Sequence, residues 1–98
     1  MFCYKLHRTR SERYELVLAI CDKELVGKTL RKDPEFVVSK EFYYEKECVE
    51  EKAVKLMKTC TIANLVGKKI AKLALGKKFI TKENVMLIEG IPHAQIIK

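Results

Sequence analysis

Gly90-Ile91-Pro92-His93 sets an imidazole at the end of a backbone path that glycine and proline together make tight. A histidine held this way suits a general base or a ligand, and equally a turn histidine whose ring bonds a neighbouring carbonyl. Asp22, beside Cys21 and near Glu24, is the carboxylate that would orient His93 in a small enzyme. As the first residue of a turn after a strand, Asp22 is also a natural cap. Asn64 reads as a helix-interior residue, where asparagine is a poor helix former, and it precedes Gly67 by three positions. A backbone approaching Gly67 would explain it by packing; a ligand role is the alternative.

Cys3, Cys21, Cys48 and Cys60 show no Cys-x-x-Cys pair, and His7 and His93 are the only imidazoles. That spacing is not a metal knuckle, so the thiols read as small apolar residues in a reduced cytosol. There is no Gly-rich phosphate loop, nucleophile elbow or paired-carboxylate signature. Neither a cofactor nor a metal is expected, and catalysis centred on His93 and Asp22 is the weakest of the functional readings.

The strongest chemical signal is charge. Net +7 over 98 residues divides along the chain as +3 for residues 1–34, −4 for 35–51, +9 for 52–82 and −1 for 83–98. Residues 52–82 hold nine lysines and no carboxylate. Such a block can neutralise phosphates and release their counterions, or it can be a solvated helix face. The residues assigned to a phosphate-binding surface are Lys58, Lys68, Lys69, Lys72, Lys77 and Lys78, with Arg8, Arg10 and Arg13 at a second position. Tyr43, Tyr44 and Phe79 are the aromatics available to stack on bases.

Those side chains need elements to carry them. Phe2-Cys3-Tyr4-Lys5-Leu6 and Tyr14 to Cys21 alternate with period two and read as strands, the second central. Arg8 to Arg13 is then a hairpin connection with three arginines at its tip. Asp22 to Lys28 reads as one helical turn closed by Gly27 in a positive-φ conformation. Asp33-Pro34 marks a turn, Phe36-Val37-Val38-Ser39 a third strand, and Phe42 to Glu47 a loop leading into a helix. Val85 to Ile88 and Ala94 to Ile97 read as two last strands, after a cap at Thr81 or Asn84.

From Cys48 to Gly76, Val49, Ala53, Leu56, Cys60, Ala63, Gly67, Ile70 and Ala74 recur at spacings of 3 and 4. This predicts a helix over 48–76, or two consecutive helices broken near Thr59-Cys60-Thr61. One unbroken helix would be roughly 42 Å long, against a radius of gyration near 13 Å for a domain of this size. Its overhang, and the small-residue row Ala53, Cys60, Gly67 and Ala74, would suit a homo-oligomer or another protein partner. The fold class expected is α+β: a single domain, 1–98, with an antiparallel sheet of four or five strands and the segment 48–76 packed across one face. No apolar run reaches the ~20 residues that cross a bilayer, and no leader pattern opens the chain, so a cytoplasmic protein is expected.

Cys21-Asp22-Lys23-Glu24-Leu25-Val26-Gly27-Lys28-Thr29, Phe42-Tyr43, Thr61 to Gly67 and Gly90-Ile91-Pro92-His93-Ala94-Gln95 together resemble the archaeal domain-of-unknown-function family 424. The likeness runs in order through most of the chain; Tyr44-Glu45 stand where the family usually has glycine. The resemblance implies a small cytosolic archaeal protein, guessed to act with RNA, and brings no catalytic residue with it. RNA or ribonucleoprotein binding through the lysines is therefore the leading expectation.

Overall fold

In the computed structural model, residues 1–10 and 13–98 are described; Ser11 and Glu12, the tip of the expected arginine hairpin, lie outside the described residues. The two alternating segments form β1 (Phe2–Arg10) and β2 (Tyr14–Asp22), antiparallel with Phe2 opposite Asp22 and Arg10 opposite Tyr14. A single 3-10 turn (Lys23–Leu25) follows, and Gly27 takes φ 82 as expected. Asp33-Pro34 turns a small hairpin of β3 (Thr29–Lys32) and β4 (Glu35–Val37). Ser39 caps α1 (Lys40–Tyr43) by accepting a hydrogen bond from the Phe42 amide, and β5 (Lys46–Cys48) pairs with β1.

The segment 48–76 is not one helix, nor two consecutive ones. It is α2 (Glu50–Thr59), β6 (Ile62–Val66) and α3 (Lys68–Gly76). β6 enters the middle of the sheet parallel to β2, Val17 opposite Ile62 and Cys21 opposite Val66. The overhang disappears with it, and the chain measures 33 × 29 × 25 Å. β7 (Met86–Ile88) and β8 (Ile91–Ile97) complete the sheet, β8 antiparallel to β6. The strand order is β5-β1-β2-β6-β8-β7, so the expected antiparallel sheet of four or five strands is a mixed sheet of six, with β3-β4 as a separate pair. The parallel pair is a consequence of topology: β5-α2-β6 and β6-α3-β7 are crossovers, which bring the chain back in the same direction.

Strand alternation divides the core. Phe2, Tyr4, Leu18, Ile20, Ala63, Leu65, Ala94 and Ile96 share the face under α2 and α3, where they meet Ala53, Leu56, Met57, Ile70 and Ala74. On the other face Cys3, Ala19, Cys21 and Val66 pack against Leu25, Val38 and Tyr43 from the 3-10 turn, the hairpin segment and α1. Ala53, Cys60, Gly67 and Ala74 are buried within the chain itself, on α2, at its C-terminal cap, at the cap of α3 and on α3, so they form no surface seam. No helix among the described residues is long and apolar enough to cross a membrane.

Candidate nucleic-acid interface

α2 and α3 are amphipathic for a plain reason. Ala53, Leu56 and Met57 on α2, and Ile70, Ala71 and Ala74 on α3, recur at the three-to-four spacing of one helix face and are buried. The lysines between them therefore point outward. Between the helices run two adjoining hollows of about 420 and 460 Å³ that share Glu50, Leu73 and Lys77. Lys55 and Lys58 line one of them, Lys69 and Lys72 the other. Two carboxylates from just before the lysine block, Glu50 and Glu51, line the hollows as well; Lys55 lies 3.8 Å from Glu51, and Lys69 lies 3.7 Å from Glu24, outside them. Both pairs are solvent-exposed and worth little, so the groove stays basic.

The other predicted basic residues are distributed around it. Lys68 is exposed at the start of α3, and Lys78 follows its C-terminus with φ 63. Arg8 and Arg10 are exposed at the far end of β1, while Arg13 is tied to Glu15 at 2.8 Å. Lys98, outside the predicted set, caps α2 by donating to the carbonyls of Met57 and Lys58 at 3.0 and 2.7 Å. A cation there complements the negative end of the helix dipole.

Asp22, His93 and Asn64 do not converge. The Asp22 carboxylate caps α3, accepting from the amides of Lys69 and Ile70 at 2.9 Å each, and not the turn that follows it in sequence. α3 has no acidic residue in its own first turn, so this one buried carboxylate supplies the negative charge its N-terminus favours. Burial pushes the Asp22 carboxyl up, while the two amides pull it back. Among the described residues no hydrogen bond or ion pair joins it to His93. Asn64 is a strand residue, not a helical one; its side-chain oxygen accepts from Gln95, its register partner on β8, at 2.9 Å.

His93 lies half-buried on β8, opposite Val66 on one side and Met86 on the other. Its ring meets Phe36 edge-on at 5.4 Å, which ties the β3-β4 hairpin to the sheet. Burial lowers its pKa. The unfolded chain therefore takes up the proton first as pH falls below about 6.5. The stability contributed by neutral His93 is complete above that value and is lost as pH drops through the folded-state value. Acidification from pH 7 to 5 should lower the melting midpoint of the wild type more than that of His93→Gln; parallel midpoints across the range would show that His93 does not carry the effect.

All four cysteines are free and buried, and burial raises each thiol, Cys21 to about 12. These are packing residues with little thiolate at neutral pH. Among the stacking candidates, Tyr43 is buried, the Tyr44 hydroxyl bonds Glu47 at 3.2 Å, and Phe79 packs on the core. The exposed tyrosine is Tyr14, a strand residue by its sequence pattern and not one of the stacking candidates.

A family model described as protein of unknown function (DUF424) matches residues 9–98. The crystal structure of an uncharacterized conserved protein from Methanopyrus kandleri is similar in fold, with a TM-score of 0.79 at 22% identity, covering 98% of this chain and 91% of that one. No curated protein matches the chain.

Proposed function

The chain belongs to the DUF424 family of proteins of unknown function, and from that premise we propose that it binds RNA along the α2-α3 groove, as a binding module and not a catalyst. The observation that carries this reading is the set of five lysines, Lys55, Lys58, Lys69, Lys72 and Lys77, that line the two adjoining hollows against two carboxylates, Glu50 and Glu51. Lysine acts on phosphate as a point charge and reads no base, which suits backbone binding without sequence preference. α2 has ten residues, so it is about 15 Å long and passes roughly four phosphates at the ~3.4 Å axial spacing of a duplex strand.

Binding that neutralises about four to six phosphates should weaken with salt at a slope of log affinity against log concentration of roughly −3 to −5. Fluorescence anisotropy of a labelled RNA between low and physiological salt measures it. A slope near zero, or no binding at low salt, would return the lysines to the role of a solvated surface.

A further inference from the structure

Backbone contacts alone leave the groove indifferent to whether its nucleic acid is paired, and the aromatic side chain at its end supplies what the lysines lack. Tyr14 is 54% exposed at the start of β2, and its hydroxyl accepts a hydrogen bond from Arg8 Nε at 3.1 Å. Register sets Arg10 opposite Tyr14 and Arg8 opposite Leu16, on the same sheet face that α2 and α3 cover. The Leu16 carbonyl accepts from the Thr61 amide, two residues beyond the end of α2, so Arg8, Arg10 and Tyr14 lie at the end of the sheet toward which α2 runs, with Lys58 in its last turn. Phe42, the other half-open aromatic ring, is already stacked on His7 at 4.6 Å and bonded through its carbonyl to the His7 ring. It belongs with α1, which packs on the sheet face away from the groove.

We infer that Tyr14 is a base-stacking position at the end of the lysine groove, so that the RNA taken there presents an unpaired nucleotide. This rests on the groove as the phosphate-binding surface and adds to it a preference for single-stranded chain. An aromatic ring fixed at its hydroxyl and flanked by arginines offers a stacking face to any base, while the arginines hold the adjoining phosphates. A base inside a duplex is stacked on its neighbours and has no free face to offer.

The chain has no tryptophan, so Tyr14→Trp introduces a single reporter at the proposed position. Binding of a short uridine oligomer should quench that fluorescence. Tyr14→Ala should weaken binding of the oligomer about 5- to 100-fold, the range for loss of one stacked base, with the salt slope unchanged. Tyr14→Phe, which keeps the ring and loses the bond to Arg8, should bind close to wild type. Binding of the matching duplex should be the same for all three, and unchanged melting curves show that each is folded. Should Tyr14→Ala bind the oligomer like wild type, or the indole emission of Tyr14→Trp stay unchanged at saturation, the stacking position is refuted while the groove stands. A wild-type protein that binds neither oligomer nor duplex at low salt refutes the groove and Tyr14 together.

Discussion

Gly67→Ala is expected to cost on the order of 4 kcal/mol, a large part of the ~5–15 kcal/mol that holds a domain together. Gly67 has φ 130 and ψ 155, a region that only glycine occupies without strain, and an alanine there carries about 1–3 kcal/mol for the backbone alone. Its Cβ would also lie 2.6 Å from each carboxylate oxygen of Asp22. Asp22 cannot move aside cheaply, because those oxygens hold the amides of Lys69 and Ile70, and hydrogen bonds to a charged group contribute about 1.5–3 kcal/mol each. At about 4–8 °C per kcal/mol for a domain of this size, the melting midpoint should fall by roughly 15–30 °C. Gly27→Ala is the control: φ is 82, but nothing lies within 4 Å of the added carbon. Only the left-handed backbone opposes it, at roughly 1–2 kcal/mol. In the double variant with Asp22→Ala the clash is gone, so the two costs should add to less than their sum. Gly67→Ala no more harmful than Gly27→Ala would mean that Asp22 does not occupy that space.

The strands that pair locally were legible where alternation survives because one face is buried and the other open, as in the second half of β8, where Ala94 and Ile96 are buried and Gln95 and Ile97 exposed. β6 was not. It lies between β2 and β8, buried at Ala63, Leu65 and Val66 and half-buried at Ile62 and Asn64, so four of its five residues are apolar. Steps of three and then four from Cys60 land on Ala63 and Gly67 and miss both polar residues, Thr61 and Asn64. The helical rows of α2 and α3 on either side extended through it as a false heptad. Two signals argued otherwise: Thr59, Thr61, Ile62 and Val66 are β-branched, and a helix of that length would overhang its domain. A strand between two helices resolves both.

The basic residues were legible as charge, because nine lysines without a carboxylate need no fold to be counted. Their arrangement was not, since the groove exists only after β6 turns α3 back alongside α2. Glu50 and Glu51 show the limit of a segment count: they precede the block in sequence and line the groove in space. Asp22 shows it again. Its capping chemistry was readable from residue type, but the helix it caps begins 46 residues later, and the signal that named the partner was the absence of any acid at the start of α3. Tyr14 carries no such signal in the sequence, because its neighbours on the groove side, Arg8 and Arg10, come from the adjacent strand.

Reversing three groove lysines at once, Lys55, Lys72 and Lys77 to Glu, should abolish RNA binding and leave the chain folded. At about 0.1 M salt each lost phosphate contact removes roughly 0.7–0.9 of a log unit of affinity, so three remove roughly 100- to 500-fold before the new repulsion is counted. The cost to the fold is small by comparison. All three side chains are exposed, Lys55 surrenders only a surface pair with Glu51, and Lys77 alone sits at a helix end, where a negative charge costs about 0.3–1 kcal/mol. Net charge by itself would also weaken attraction to any polyanion, so Lys28, Lys32 and Lys40 to Glu is the necessary comparison. Those residues are exposed on the β3-β4 hairpin and α1, against the opposite face of the sheet, and their reversal changes the net charge by the same amount. Position separates the two triples. If the groove holds the phosphates, the first loses binding and flattens the salt slope by about two to three, whereas the second keeps most of its affinity at physiological salt, where distant charges are screened. His93→Ala should bind like the wild type. Equal losses from the two triples would mean that RNA is drawn to the protein's overall charge and to no particular surface.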